Sequence, residues 1–419
     1  MDKNFIYYGP PGTGKTYMMQ KKMNDFVDYD VTDQQILNAH VASNLGWVPI
    51  AMILFQNMER MTAAEIETKV SSLSLNLGST VVSILQKHQI NSKNILISQE
   101  SPLVFVSYDD NKWYVDRYAI MQFDEDFFNK FMKSSVMHKR YKFVTFHQSF
   151  SYEDFIEGIR PSYDKATNTV DYSPKDGVFK QICDEAAAHP VKNYALFIDE
   201  INRGNISEIF GELITLIEPD KRKGAVGEVS VTLPYSKDLF SVPQNLFIYG
   251  SMNSADKSIS LLDSALRRRF RFIPVFPDAN VISNVLRSNN INPHNVDGVD
   301  LISLFTVINN RIEYLLDRNH LIGHSFFLGV RKASDIAEVL SLNVIPLLEE
   351  YFDQNLSLVQ MIFNDIDQDG KVRDDAIYKS STLTAYDLFP SAADIDAGDK
   401  NHYFVSEDIT VSALKHIYR

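Results

Sequence analysis

The chain has a single cysteine, Cys183, which excludes an internal disulfide framework and fits a reducing compartment. Positive charge is also scarce: 41 Lys and Arg stand against 54 Asp and Glu, a formal net charge of −13. Such a chain does not bind nucleic acid along its whole length, so any DNA contact needs a local cluster of Lys and Arg. Long uninterrupted apolar runs are missing, so no membrane span is expected, and the first residues do not read as a signal peptide. Cytoplasmic residence is the resulting expectation. There is no internal repeat and no low-complexity tract. What remains is ordinary globular composition, 45% hydrophobic and 23% charged. At 419 residues the chain is too long for one core, and two or three domains are expected.

The most informative stretch is Gly9-Pro10-Pro11-Gly12-Thr13-Gly14-Lys15-Thr16, which fits G-x-x-x-x-G-K-[ST]. The apolar run Phe5 to Tyr8 predicts a strand entering it, and Tyr17 to Phe26 a helix leaving it. A glycine-rich turn lets backbone N–H groups converge on phosphate oxygens at a helix N-terminus, where the helix dipole also favours anions. Lys15 is then placed for the β- and γ-phosphates, and Thr16 for a Mg²⁺ ion.

An acidic strand end belongs a few tens of residues further on, yet the best candidate is Ala195 to Glu200. Residues 27–140 are therefore read as an inserted folded module, because a structureless loop of that length is improbable. Trp47 to Met58 predicts an apolar helix, and the capping-box spacing Thr62-Ala63-Ala64-Glu65 opens a second helix through Ser72. Asn76 to His88 predicts a third helix. Asn94 to Ile97, Leu103 to Val106 and Lys112 to Val115 read as short strands with a turn at Asp109-Asp110-Asn111. Three helices followed by a hairpin suggest a winged helix over about 45–118. That stretch carries six Lys/Arg against seven Asp/Glu, a net −1, so DNA contact, protein docking and a purely structural role all stay open.

After Tyr141 an α/β pattern resumes. Lys142 to His147 reads as a strand, Ser151 to Phe155 as the start of a helix, and Gly158 to Gly177 as a polar interruption. Val178 to Ala188 and Ile206 to Ile217 read as helices, Gly227 to Leu233 as a hairpin, and Leu246 to Gly250 and Arg271 to Val275 as strands. Strands alternating with helices imply a parallel sheet buried on both faces. Residues 277–360 read as a small helical lid, and 361–419 as an appended mixed element. The core is thus assigned to 1–26 and 141–276.

Asp199 and Glu200 end an apolar strand, which delivers two carboxylates to the sheet edge where ligands bind in open α/β folds. Asp199 suits the Mg²⁺ shell, and Glu200 suits a base that polarises an attacking water. Asn253 ends the next strand, where a neutral amide can hold that water or the γ-phosphate. Arg267, Arg268 and Arg269 follow a short helix, Leu261 to Leu266. They are either a solvated face, a nucleic-acid contact, or residues that reach a neighbouring subunit's phosphoryl group as an arginine finger. Arg203, beside the Asp-Glu pair, is a further interface candidate. Asp365 to Gly370 imitates the start of a calcium loop, but Ala376 replaces the bidentate Glu, so an acidic turn is expected.

Taken together, these residues resemble the McrB-type AAA+ nucleotidases, the GTP-driven motor subunits of modified-DNA restriction. The matching blocks are Gly9 to Thr16, Thr145 to Gly158, Ile198 to Asn205, Met252 to Asp256, Asp263 to Phe270 and Ile322 to Phe327, covering 1–26 and about 141–355. The resemblance implies a hexameric ring with nucleotide at subunit boundaries, GTP or ATP as substrate with Mg²⁺, and a McrC-type nuclease docked on the ring. It also implies that Gly158 to Gly177 is the helix insertion and Gly227 to Leu233 the hairpin that line the pore. The family's Met-Asn-x-x-Asp segment, associated with GTP hydrolysis and partner stimulation, maps onto Asn253 and Asp256, with Lys257 where members often carry Arg. The specificity domain that usually precedes the P-loop is not seen, and a module follows the loop instead. The function implied is a GTP-hydrolysing motor that translocates DNA for a nuclease in phage defence. The rivals are a MoxR-like protein remodeller and a nucleotide-gated scaffold without translocation.

Overall fold

A computed structural model of the chain describes residues 2–57, 60–90, 98–107, 111–124, 126–131, 137–164, 168–256, 264–353, 355–384 and 400–419. The central sheet holds five strands: β1 (Asn4–Gly9), β2 (Tyr141–Thr145), β3 (Tyr194–Asp199), β4 (Leu246–Asn253) and β5 (Arg271–Pro274). Their spatial order is β5-β1-β4-β3-β2. β3 pairs in parallel with both β4 and β2, setting Ile198 beside Gly250 and Val144. Tyr194 to Ile198 are all buried, as a strand covered on both faces requires. The expected parallel α/β sheet is present. Helix Val178–Ala188, also expected, buries Phe179, Ile182, Cys183 and Ala186, the i, i+3, i+4, i+7 stripe of a packed helix. Burial pushes the Cys183 thiol well above its usual pKa.

The chain divides into two compact units, one of residues 1–5, 16–250 and 262–270 and the other of 6–15, 251–261 and 271–419. The first contains α1 (Lys15–Met23) from Thr16 onward, and the inserted module. The two ends of the insertion are zipped together by an antiparallel ladder, Val27–Tyr29 against Met137–Lys139. Beside the ladder the buried Arg140 donates from Nε to Asp28 at 2.8 Å and also bonds the Asn193 carbonyl. Lys192 adds a second cation to Asp28 at 3.2 Å. This clasp lets about a hundred residues enter a loop without disturbing the sheet, because ends held close impose little extra chain entropy.

Inside the module the elements run helix Trp47–Asn57, strand Met61–Thr62, helix Ala63–Ser72, helix Val81–Lys87, strands Phe105–Ser107 and Lys112–Val115. The three strands form one antiparallel sheet with Lys112–Val115 in the middle. Trp47 through Phe55 are almost continuously buried, which makes that helix the centre of a core of its own. Thr62 and Glu65 form the expected capping box. The third helix starts at Val81 instead of Asn76, because Gly78 takes φ +70° and Thr80 caps Ser83. The expected strand at 94–97 and most of the turn at 109–111 lie outside the described residues. A helix that the sequence reading passed over, Asp33–Ser43, begins at a second capping box, Thr32 with Gln35.

Three further expectations shift. Gly158 to Gly177 is an eight-by-eight β-ribbon, Glu157–Asp164 against Thr169–Asp176, leaving only one helical turn, Tyr152–Phe155, before it. The hairpin expected over 227–233 is formed by Val231–Thr232 and Leu239–Phe240, since the stretch before it is consumed by turns such as Glu228 N–H to the Ala225 carbonyl. Helix 206–217 breaks at Gly211, φ +50°, into Ile206–Phe210 and a tighter turn to Ile214.

The second unit holds the helical lid. Its core joins Ile308, Ile312, Leu348 and Phe363 with Tyr378, Leu414 and Ile417, so the segment expected as an appended element packs into the lid itself. Strand Tyr378–Leu383 pairs with Lys400–Val405, and helix Val411–His416 follows. Asp365 does not open a calcium loop: its two carboxylate oxygens accept the backbone N–H groups of Ile377 and Tyr378. Among the described residues no helix is long and apolar enough to cross a membrane.

Candidate functional site

The loop after β1 owes its shape to glycine. Gly12 and Gly14 have φ of +71° and +85°, a region L side chains rarely enter. Thr13 Oγ1 donates to the Pro10 carbonyl at 2.9 Å, and Lys15 Nζ donates to the carbonyls of Gly9 and Pro10 at 2.9 and 2.6 Å. The ammonium is therefore held at the loop itself. α1 begins at Lys15, so its first backbone N–H groups open toward the loop, which is the arrangement that attracts phosphate.

The lid is seated directly on this loop. Gly323 packs so closely that a Cβ there would stand 2.0 Å from the Gly12 carbonyl carbon and oxygen. The Ser325 N–H donates to the Gly12 carbonyl at 2.9 Å, and the Phe326 ring approaches the open side of Gly12. His324, buried between them, receives the Asp278 N–H on Nδ1 at 3.2 Å. Burial lowers its pKa, with the Asp278 carboxylate acting the other way.

The end of β4 is tied to the same loop. The Ser254 N–H donates to the Gly9 carbonyl at 3.0 Å. Asn253 Nδ2 donates to Asp256 at 3.0 Å, and its Oδ1 accepts the Ala255 N–H at 3.3 Å. The two residues singled out in this segment are thus locked to each other, and Asp256 also helps keep the Tyr351 hydroxyl protonated, after burial as the main cause. Lys257 lies outside the described residues.

In the first unit, Asp199 ends β3 and Glu200 heads a turn with φ +51° and ψ +46°. A non-glycine residue in that conformation is uncommon and costs about 1–3 kcal/mol. Arg203 Nε lies 3.4 Å from the Glu200 carboxylate. The three arginines separate sharply. Arg269 is buried, with Nη2 2.8 Å from Glu218 and its carbonyl accepting from Asn4. The Arg269 charge, expected from the sequence to reach a neighbour, is paired inside this chain. Arg267 is exposed, and Arg268 has a 68% exposed side chain 3.8 Å from the same Glu218.

Sequence reading missed two features. His324 sits in a block whose role was unassigned, and only the lid's position shows that it borders the P-loop. A cavity of about 680 Å³ where the module meets the core gathers Lys21, Arg60, Lys112, Arg117 and Arg140 from distant segments. Its cations are partly neutralised locally, Lys21 by Asp116 and Arg140 by Asp28. Among the described residues no three His, Cys, Asp or Glu cluster to hold a metal on their own.

The strand order sets one strand, β4, between the P-loop strand and the Asp-Glu strand, and this parallel sheet with its flanking helices is that of an α/β P-loop nucleoside triphosphatase of the AAA class. Two family models agree: one described as an AAA domain of the dynein-related subfamily matches residues 130–270, and one described as the McrB α-helical lid domain matches 300–360. The chain is a McrB-type AAA+ protein. It is 41% identical over 229 residues to the type IV methyl-directed restriction enzyme EcoKMcrB subunit of Escherichia coli K12, covering 51% of this chain and 47% of that one. It is 28% identical over 147 residues to the type II restriction enzyme BsuMI component YdiS of Bacillus subtilis, covering 32% and 42%. The chain therefore spans a little under half the length of these curated relatives. A solved protein of Cytophaga hutchinsonii, at 13% identity and a TM-score of 0.23 over 51% of this chain and 63% of that one, is too distant to bear on the reading.

Proposed function

We propose that the chain is a GTP-hydrolysing ring motor that moves DNA for a McrC-type nuclease in phage restriction. The observation that carries this reading is the joining of three blocks at one loop: Gly9–Thr16, the Asn253–Asp256 pair and the lid segment Gly323 to Phe326. The restriction role rests on the name of the relative that is 41% identical, and the preference for GTP over ATP rests on family resemblance.

In this mechanism the backbone N–H groups of the loop and Lys15 bind the β- and γ-phosphates. Thr16 and Asp199 would hold Mg²⁺ through the hard oxygen donors that this ion takes. When bound, Mg²⁺ neutralises charge on the phosphate oxygens as the β–γ bond breaks. Glu200 accepts a proton from the attacking water, and Asn253, held by Asp256, orients that water. Arg267 and Arg268 act in trans on a neighbour's phosphoryl group, in a hexamer. The exposed ribbon residues Ile159, Tyr163, Val170 and Tyr172 form one apolar face, assigned here to the pore.

The function is tested by displacement of a triplex roadblock from DNA by the chain, its nuclease partner and GTP. GTP-dependent displacement is expected. Hydrolysis without displacement would remove the motor and leave a nucleotide-gated scaffold or a protein remodeller.

A further inference from the structure

His324 is a buried lid side chain beside the P-loop that the mechanism above does not use. Its Nδ1 accepts the Asp278 N–H at 3.2 Å. A backbone N–H can only donate, so Nδ1 must present a lone pair, and in the neutral ring the proton then sits on Nε2. The contact at Nδ1 is the ring's one hydrogen bond among the described residues. Nε2 lies 3.7 Å from where a Cβ on Gly14 would stand. Gly14 has no side chain, so nothing at that position screens the Nε2–H from the loop.

The flanking residues fix the ring in place. Gly323 touches the Gly12 backbone, Ser325 bonds the Gly12 carbonyl, and the Phe326 ring covers Gly12. The donor is therefore delivered by the lid to the last glycine before Lys15, on a frame that leaves it little freedom. Burial favours the uncharged ring, and a neutral N–H bonds an anionic acceptor strongly without a cation having to be desolvated.

We propose that His324 is a nucleotide-binding residue whose Nε2–H donates to a phosphate oxygen of the bound nucleotide, so that the lid senses phosphate directly. This rests on the reading of Gly9–Thr16 as a nucleotide cradle. Loss of the phosphate then releases a bond that spans loop and lid, which gives hydrolysis a route to lid position.

Two substitutions separate the two ends of the ring. His324→Asn keeps an acceptor near Nδ1 for the Asp278 N–H and removes the outer donor. His324→Gln places an amide N–H near Nε2. Affinity of the full chain for a fluorescent N-methylanthraniloyl GTP is measured by anisotropy with thermal melts alongside. The Asn variant should bind about tenfold more weakly while melting near wild type, and Gln should recover binding to within about threefold. Lys15→Ala serves as the control. If Lys15→Ala loses binding while His324→Asn binds like wild type, the His324 assignment fails and the cradle stands. If Lys15→Ala binds normally, the cradle reading fails. Should the Asn variant not fold, ¹⁵N-histidine spectra of the wild type decide: an Nε2–H tautomer whose proton shifts downfield with GTP supports the assignment, and an Nδ1–H tautomer or an unmoved signal overturns it.

Discussion

Gly323→Ala is the smallest change that probes the seat of the lid on the P-loop. The added Cβ would stand 2.0 Å from the Gly12 carbonyl carbon and oxygen and 2.4 Å from the Pro11 oxygen. Ordinary contact begins at 3.4 Å, so a gap of about 1.4 Å, the difference between 3.4 and 2.0, must open. All three obstructing atoms are backbone, and no side chain can swing aside. A retreat of that size takes the Ser325 to Gly12 hydrogen bond, now 2.9 Å, to about 4.3 Å, beyond bonding range. Overpacking of this kind costs about 1–3 kcal/mol and the lost bond about 0.5–1.5 kcal/mol, so the unit should lose about 2–4 kcal/mol. Misplacement by about an ångström near a reacting centre can lower turnover on the order of a hundredfold. The assay is urea unfolding together with steady-state nucleotide hydrolysis. Gly329→Ala is the matched control, because nothing lies within 4 Å of its Cβ position. A Gly323→Ala protein with wild-type stability and turnover would refute the claim that the lid bears on the loop.

Two further outcomes follow from side-chain placement. Arg269→Ala should lower the melting temperature of the isolated chain, because it strips a buried partner from Glu218, whereas Arg267→Ala and Arg268→Ala should melt normally and, in the proposed ring, lose hydrolysis only on assembly; differential scanning fluorimetry and hydrolysis against protein concentration distinguish the two. Arg140→Met should destabilise the first unit by about 3–5 kcal/mol in urea unfolding, because Asp28, 2% exposed, would stay buried with only the partly exposed Lys192 as cation.

The parts of the fold written in local chemistry were legible. The P-loop, the strand ending in Asp199, helix Val178–Ala188 and the Thr62 capping box depend on residues a few positions apart, and the structure places them as read. What was missed depends on partners far away in the chain. The ladder that closes the insertion pairs Val27 with Lys139, and nothing in either tripeptide announces the other. The ribbon at 157–176 was obscured by Pro161 and Pro174 in its strands; a two-stranded ribbon has open edges where proline is tolerated. The tail's apolar residues looked scattered because their partners, among them Ile308 and Leu348, belong to the lid. The three arginines look alike in the sequence, and only burial distinguishes Arg269 from its two neighbours.

Phosphate release from GTP and ATP in competition, measured on the purified chain and on Glu200→Gln, decides whether the P-loop and Glu200 form a GTP-hydrolysing site. Mg²⁺-dependent release that favours GTP is expected, together with a Glu200→Gln protein that still binds nucleotide and assembles but releases almost no phosphate. Equal or better turnover of ATP would overturn the guanine preference, and near-normal turnover by Glu200→Gln would contradict the mechanism.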